Sequence, residues 1–255
     1  MSGIVPMVYR QIKRFVNARS RLVMTIVQPL LWLVFFGLGM SRAFSFPGAS
    51  AMFGGLSYLS FLASGMVAMT IIVGSFMSGV SVIWDKQFGF LKETLVAPAS
   101  RAEVILGRAF GDALVINLQA LIILALVYLI APGLRIEGIV PVILYGIVLS
   151  LGFASLGIAL SVKLSSMEGF QMIVNLITQP LLFMSGIFFP LSTMPDWMRV
   201  VAYFNPATYA VDGMRYWLTG VSAFNPVEDV ALLLVLTAVL LFLGVRAFEK
   251  ATIED

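Results

Sequence analysis

WDKQFGFLKETLVAPASRAEVILG, residues 84–107, is a compact charged segment set between two long apolar ones. Phe88, Leu91 and Leu95 recur at i, i+3 and i+7, so a helix here carries one apolar face, with Gln87, Lys92 and Glu93 as its polar rim. Pro98, the Ser100 and Arg101 pair and Gly107 then lead into the next apolar run. The order predicts a short surface helix, a turn, and a return into a membrane. An apolar plug with a polar rim is also what a groove on a partner protein accepts.

The rest of the chain supplies the membrane. Hydrophobic residues make up 60% and charged residues 11%, against roughly 45–50% and about 25% in soluble domains. The few charges are bunched between runs long enough to cross a bilayer, which takes about 20 residues per helix. Six spans are expected, at 22–40, 56–83, 108–131, 139–162, 169–189 and 230–245. A soluble bundle could hide one such run but not six. The first span is longer than the apolar core of a signal peptide and is read as a retained helix.

Basic residues set the orientation. With six spans, both termini and the 84–107 segment share a side. Of the 16 Lys and Arg, twelve fall on that side: Arg10, Lys13, Arg14, Arg19, Arg21, Lys86, Lys92, Arg101, Arg108, Lys163, Arg246 and Lys250. Only Arg42, Arg135, Arg199 and Arg215 fall on the other. The positive-inside rule therefore puts both termini in the cytosol of a cell-membrane protein. The net charge of +3 follows from topology and anionic headgroups, with no need for nucleic acid.

Residues 1–21 contain an amphipathic stretch with Ile4, Val5, Val8, Ile12, Phe15 and Val16 on one face and Arg10, Lys13, Arg14 and Asn17 on the other. It is expected to lie flat at the interface, as a membrane anchor or as a contact for a partner. On the outer side, 41–55 is expected to be a mobile or membrane-skimming loop and 131–138 a Pro-Gly turn. Residues 190–229 are too amphipathic for a loop and too polar for a span. Two helix starts stand out there, Thr193 before Pro195, and Asn205 as N-cap with Pro206 at the first helical position. Trp197, Tyr203, Phe204, Tyr209, Tyr216 and Trp217 make an interfacial aromatic cluster. Asp212 and Arg215, three apart on one helix, are close enough to pair. Two short outer-leaflet helices that dip in and return are expected.

Two of these segments resemble the permeases of the second ABC exporter family, the group of daunorubicin-resistance and nodulation-factor exporters. Gly89, Lys92, Glu93, Leu95, Pro98, Ser100 and Arg101 match its cytoplasmic coupling segment, 85–107 here. Pro190, Pro195, Trp197, Asn205, Pro206, Tyr209, Asp212 and Arg215 match its re-entrant pair. The resemblance implies a single transmembrane domain over 1–255, working as one of two copies or with a paralogue. It implies a cytosolic ATP-binding cassette ATPase docked on Gln87, Phe88, Leu91, Lys92, Glu93, Leu95 and Arg101. ATP and Mg would belong to that subunit, with no cofactor on this chain. The expected function is export of a lipid-like, drug-like or glycoconjugate substrate.

Chemistry in the chain itself is sparse. Cys and His are absent, which removes thiolate nucleophiles, imidazole bases and the common zinc sites. No Gly-Lys pair exists to build a P-loop, so ATP hydrolysis belongs elsewhere. Within the spans Asp112 alone is read as an intramembrane carboxylate, near one end of its helix, which argues against an ion-coupled carrier. A membrane enzyme would need clustered catalytic groups, and a passive scaffold would not need the 84–107 segment. Gln171, Asn175 and Thr178 recur at i, i+4 and i+7 on the fifth span, beside Gln179 and Pro180. They are read as a substrate path, with a dimer seal as the other reading. Ser64, Gly65, Gly74, Ser75, Ser78, Gly79 and Ser81 on the second span are read as close helix packing. No role is assigned to Asn117 or Gln119.

Overall fold

The computed structural model describes residues 8–10, 12–13, 19–88, 101–131, 133–164 and 166–249, and among them every regular element is helical. The order is α1 (Arg19–Trp32), a π-helical turn (Leu33–Leu38) continued by Gly39–Ser41, α2 (Ala49–Met52), α3 (Tyr58–Phe76) and α4 (Ser78–Gln87). Then follow α5 (Arg101–Ile130), α6 (Ile139–Val162), α7 (Met167–Phe183), α8 (Asp196–Tyr203), α9 (Pro206–Thr219) and α10 (Pro226–Glu249).

Four runs are long and apolar enough to cross a membrane: Tyr58–Gln87, Leu106–Ile130, Ile136–Val162 and Pro226–Ala247. The chain is an all-helical, multi-pass membrane protein. The first expected span is one continuous helical run from Arg19 to Ser41, whereas the fifth is shorter than expected. The described apolar stretch of the first, Val27–Ser41, passes through the π-turn. α7 stops at Phe183, because the chain turns at Ser185 and at Gly186, whose φ of +80° suits glycine. Its 17 residues rise about 26 Å, somewhat under the roughly 30 Å of a hydrocarbon core.

Local sequence explains the starts and stops. Ser57 caps α3 by accepting from the N–H of Ser60, and Ser166 caps α7 by accepting from that of Gly169. Gly220, with φ +82°, ends α9 while its N–H reaches Tyr216 O.

α3 is the central helix, buried almost all round, and α5, α6, α9 and the π-turn pack on it; α10 lies at the periphery against α6. The small residues of α3 and α4 do what was expected of them. A Cβ on Gly79 would lie 2.3 Å from Gly157 O, and one on Gly157 would lie 2.4 Å from Phe76 O. The end of α3 and the start of α4 therefore meet α6 backbone to backbone, with Phe76, Phe153 and Phe170 filling the space beside the crossing.

Three expectations are corrected. Residues 41–55 carry the short helix α2 and an aromatic cluster in place of a loose loop: Phe44, Phe53 and Tyr58 meet edge-on or tilted with ring centroids 4.7–5.3 Å apart, and Phe53 is buried. Thr193 does not cap a helix; it lies in a 3-10 turn and donates to Pro190 O, and α8 begins behind Pro195. The helices flanking the charged segment also run past the expected boundaries, to Gln87 and from Arg101. Lys, Gln, Glu and Arg are good helix formers, so leaving the apolar zone does not end a helix.

Candidate functional site

The two ends of the bundle carry different polar sites. Where α4 and α5 emerge toward the charged segment, Asp85 is 1% exposed and serves both neighbours. Its Oδ1 accepts from Arg10 at 2.7 Å, and its Oδ2 accepts from Arg108, itself buried near the start of the third span. Arg108 also donates to Ser81 Oγ at 3.3 Å. Lys86, the next residue, donates to Val162 O at the end of α6. One carboxylate thus ties the N-terminal segment, α4 and α5 together, and its neighbour adds α6.

The sequence reading missed this cluster. It placed Arg10 on the solvated face of an interfacial helix, whereas Arg10 turns toward the bundle and donates to Asp85. The reading also held Asp112 to be the lone carboxylate within the spans. Asp85 and Asp229 are more deeply buried, and so are Arg108 and Arg215. The available signal was the pairing of one acid and one base, Asp85 and Arg108, at the facing ends of consecutive spans.

The predicted contact residues sit around this cluster. Gln87 and Phe88 are exposed at the end of α4, with Phe88 71% exposed. Arg101 opens α5. Leu91, Lys92, Glu93 and Leu95 lie outside the described residues.

At the opposite end, α8 and α9 form the short helical pair that was expected. Asn205 caps α9: its side chain accepts from Ala207 N–H at 3.0 Å and donates to Leu181 O at 2.9 Å, joining α9 to α7. Pro206 follows at the first helical position. Tyr209 donates to Tyr203 O at 2.8 Å, and both rings meet Phe224. Tyr216 and Trp217 form a separate pair, while Pro195, Trp197 and Phe204 are exposed, so the single aromatic cluster divides.

Asp212 and Arg215 do not pair directly. The Asp212 carboxylate accepts from the backbone N–H groups of Ala223 and Phe224 at 2.9–3.0 Å, capping the turn that leads into α10. Arg215 donates to Ser64 Oγ at 3.2 Å and to Gly186 O at 2.8 Å, and its guanidinium lies 3.7 Å from the ring centre of Phe61. Successive turns of α9 point the two groups at different backbone segments, although both border one cavity. Asp229, fully buried in the first turn of α10, lies beside the Asp212 carboxylate.

The polar face read on the fifth span is divided. Gln171 and Asn175 are exposed along α7 beside Met172 and Leu176, whereas Thr178 is buried and donates to Val174 O at 2.7 Å. Asn117, to which no role was given, donates to Ser150 Oγ at 3.2 Å and links α5 to α6.

The family pattern of the ABC-2 type transporter matches residues 4–219, from the N-terminal segment to the end of α9. The chain belongs to the ABC-2 type transporter family. Its relatives are permeases. A putative transport permease ycf38 of Porphyra purpurea is 32% identical over 199 residues, 77% of this chain and 67% of that one. The daunorubicin resistance ABC transporter permease protein DrrB1 of Streptomyces coeruleorubidus is 28% identical over 248 residues, 93% and 81% of the two chains. The inner membrane transport permease YadH of Escherichia coli K12 is 23% identical over 169 residues, 66% of each. The chain is therefore the permease component of an ABC-2 type transporter and not an ATPase; the match covers both the Asp85 cluster and the α8–α9 pair of this permease.

Proposed function

We propose that this permease exports an amphiphilic substrate from the cytosol, with six membrane segments per chain, two chains side by side, and a cytosolic ATP-binding cassette subunit beneath residues 85–107. α1 with its π-turn and α7 are the two further segments, and both termini are cytosolic. The observation that carries the reading is the outward face of α7. Gln171 and Asn175 stand exposed on a helix otherwise facing outward with Met172 and Leu176, and an amide left against lipid chains is costly. A second chain, or a path between two chains, gives these amides a polar surrounding. Val27, Leu31, Phe35 and Leu38 on the first segment supply more uncovered apolar surface for such an assembly.

Coupling is expected to run through the Asp85 cluster. The segment that meets the ATPase leaves α4 two residues after Asp85 and enters α5 seven residues before Arg108, so the ion pair closes its base. Coexpression with a candidate ATP-binding cassette subunit tests the proposal. Copurification of two permeases with two ATPases, and ATP turnover that rises with a lipid-like or drug-like substrate, is the expected result. A stable monomer that ignores the ATPase would overturn it.

A further inference from the structure

Asp212 and Arg215 border a cavity of about 350 Å³ lined by α9, the turn after α7 and the α2 segment. A guanidinium has five N–H donors, and Arg215 commits two of them, to Ser64 and Gly186. It has no ion-pair partner among the described residues, so a buried cation with donors to spare faces the cavity. Asp212 accepts from the N–H groups of Ala223 and Phe224 and lies beside buried Asp229, so two carboxyl groups make this the acidic wall of the cavity. A bare anion would be drawn by Arg215 and repelled by Asp212; a bare cation would meet the reverse. A group carrying both charges suits both walls.

A second cavity of about 420 Å³ adjoins the first and shares Met52, Phe53 and Pro190 with it. Its remaining wall includes Phe44, Phe189, Met194 and Met198, a surface for hydrocarbon. A charged chamber and an apolar trough with a common wall have the plan of an amphiphile.

We propose that these neighbouring open cavities together bind a zwitterionic phospholipid, its phosphate against Arg215, its ammonium against Asp212 and an acyl chain laid over the shared rim into the Phe44–Phe189 trough. The site stands whether or not the chain is an exporter. It makes the permease a reader of the headgroup on the side of the bundle opposite the Asp85 cluster.

The test is native mass spectrometry of the full chain in a neutral detergent, titrated with dioctanoyl phosphatidylethanolamine, dioctanoyl phosphatidate, dioctanoylglycerol and free O-phosphoethanolamine. Phosphatidylethanolamine should be retained at one per chain, phosphatidate more weakly, and the other two least. Arg215→Gln should weaken phosphatidylethanolamine about tenfold or more, the scale of a lost charge-assisted bond. Asp212→Asn should abolish the preference over phosphatidate. Ala51→Trp fills the chamber from an exposed wall position without touching the bonds of either charged residue, so it separates lost binding from lost folding. Retention unchanged in Arg215→Gln or Ala51→Trp, diacylglycerol held as well as phosphatidylethanolamine, or phosphatidate preferred in the unaltered chain would each overturn the proposal. Free O-phosphoethanolamine binding as tightly as the lipid would also overturn it, leaving a soluble headgroup as ligand.

Discussion

Arg10 lies 2.7 Å from Asp85 across 75 residues of sequence, and Arg108 occupies the other oxygen of the same carboxylate. Both Asp85 and Arg108 are buried, so the carboxylate is the counter-charge that makes the position of Arg108 tolerable.

Removing that counter-charge should be costly. Asp85→Ala leaves Arg108 buried and unpaired, a change expected to cost about 3–5 kcal/mol. Its melting temperature in detergent should fall well below that of Arg10→Ala, because Arg10 is partly exposed and its share of the cluster is screened. Asp85→Leu with Arg108→Leu should recover stability while substrate-stimulated ATP turnover stays low. Recovery of both would show that the cluster only holds the fold.

Glu93→Ala should leave a folded, membrane-inserted permease that no longer stimulates its ATPase. Substitutions at a docking surface away from special features usually change stability by no more than about 0.5 kcal/mol, so loss of stimulation at unchanged yield is the measurement. Normal stimulation would remove Glu93 from the contact.

Orientation can be read by labelling, since the chain has no cysteine of its own. Ser45 and Ser192 are exposed at the end holding α8 and α9, and Lys163 is exposed at the other. Single cysteines at Ser45 and Ser192 should react with an impermeant thiol reagent outside sealed cells. A cysteine at Lys163 should react only after permeabilisation; the reverse pattern inverts the topology.

Gln171→Leu with Asn175→Leu distinguishes two uses of the α7 face. Leucine inserts more favourably than an amide, so the double variant should reach the membrane. Intact dimers whose ATP turnover responds differently to two unlike substrates place these residues along the path. Dissociated dimers, or intact dimers with unaltered preference, would place them in a seal or nowhere functional.

The backbone crossing of α6 with the end of α3 gives a contrast between two glycines. Gly157→Ala drives a Cβ to 2.4 Å from Phe76 O, and overpacking of this kind costs about 1–3 kcal/mol. Gly39→Ala meets nothing within 4 Å and should leave thermal stability unchanged or slightly higher. Equal melting temperatures for the two variants would deny that the crossing is tight.

The sequence was readable where one signal had one local cause. Asn205 and Pro206 needed only each other to start α9, and the glycines of α3 and α4 announced a close crossing through size alone. Asp212 and Arg215 misled because helical spacing gives proximity but not direction. The choice between a mutual pair and separate partners was made by Ala223, Phe224, Ser64 and Gly186, which come from other parts of the chain. Thr178 parted from Gln171 and Asn175 for a similar reason, as the packing of α7 on its neighbours draws the face boundary between them. Asp85 was legible as a charge at a span end, yet its partners are 75 and 23 residues away.

The Asp85 cluster also has a mechanical meaning. Pushing on the stretch between Gln87 and Arg101 cannot displace one limb while the other stays still, because both are clamped at the base. Arg10 carries the same displacement to the N-terminal segment, and Lys86 carries it to the end of α6. A stroke delivered there would be received as the rotation of a rigid handle, with α4, α5, α6 and the N-terminal segment turning together about the tight glycine crossing.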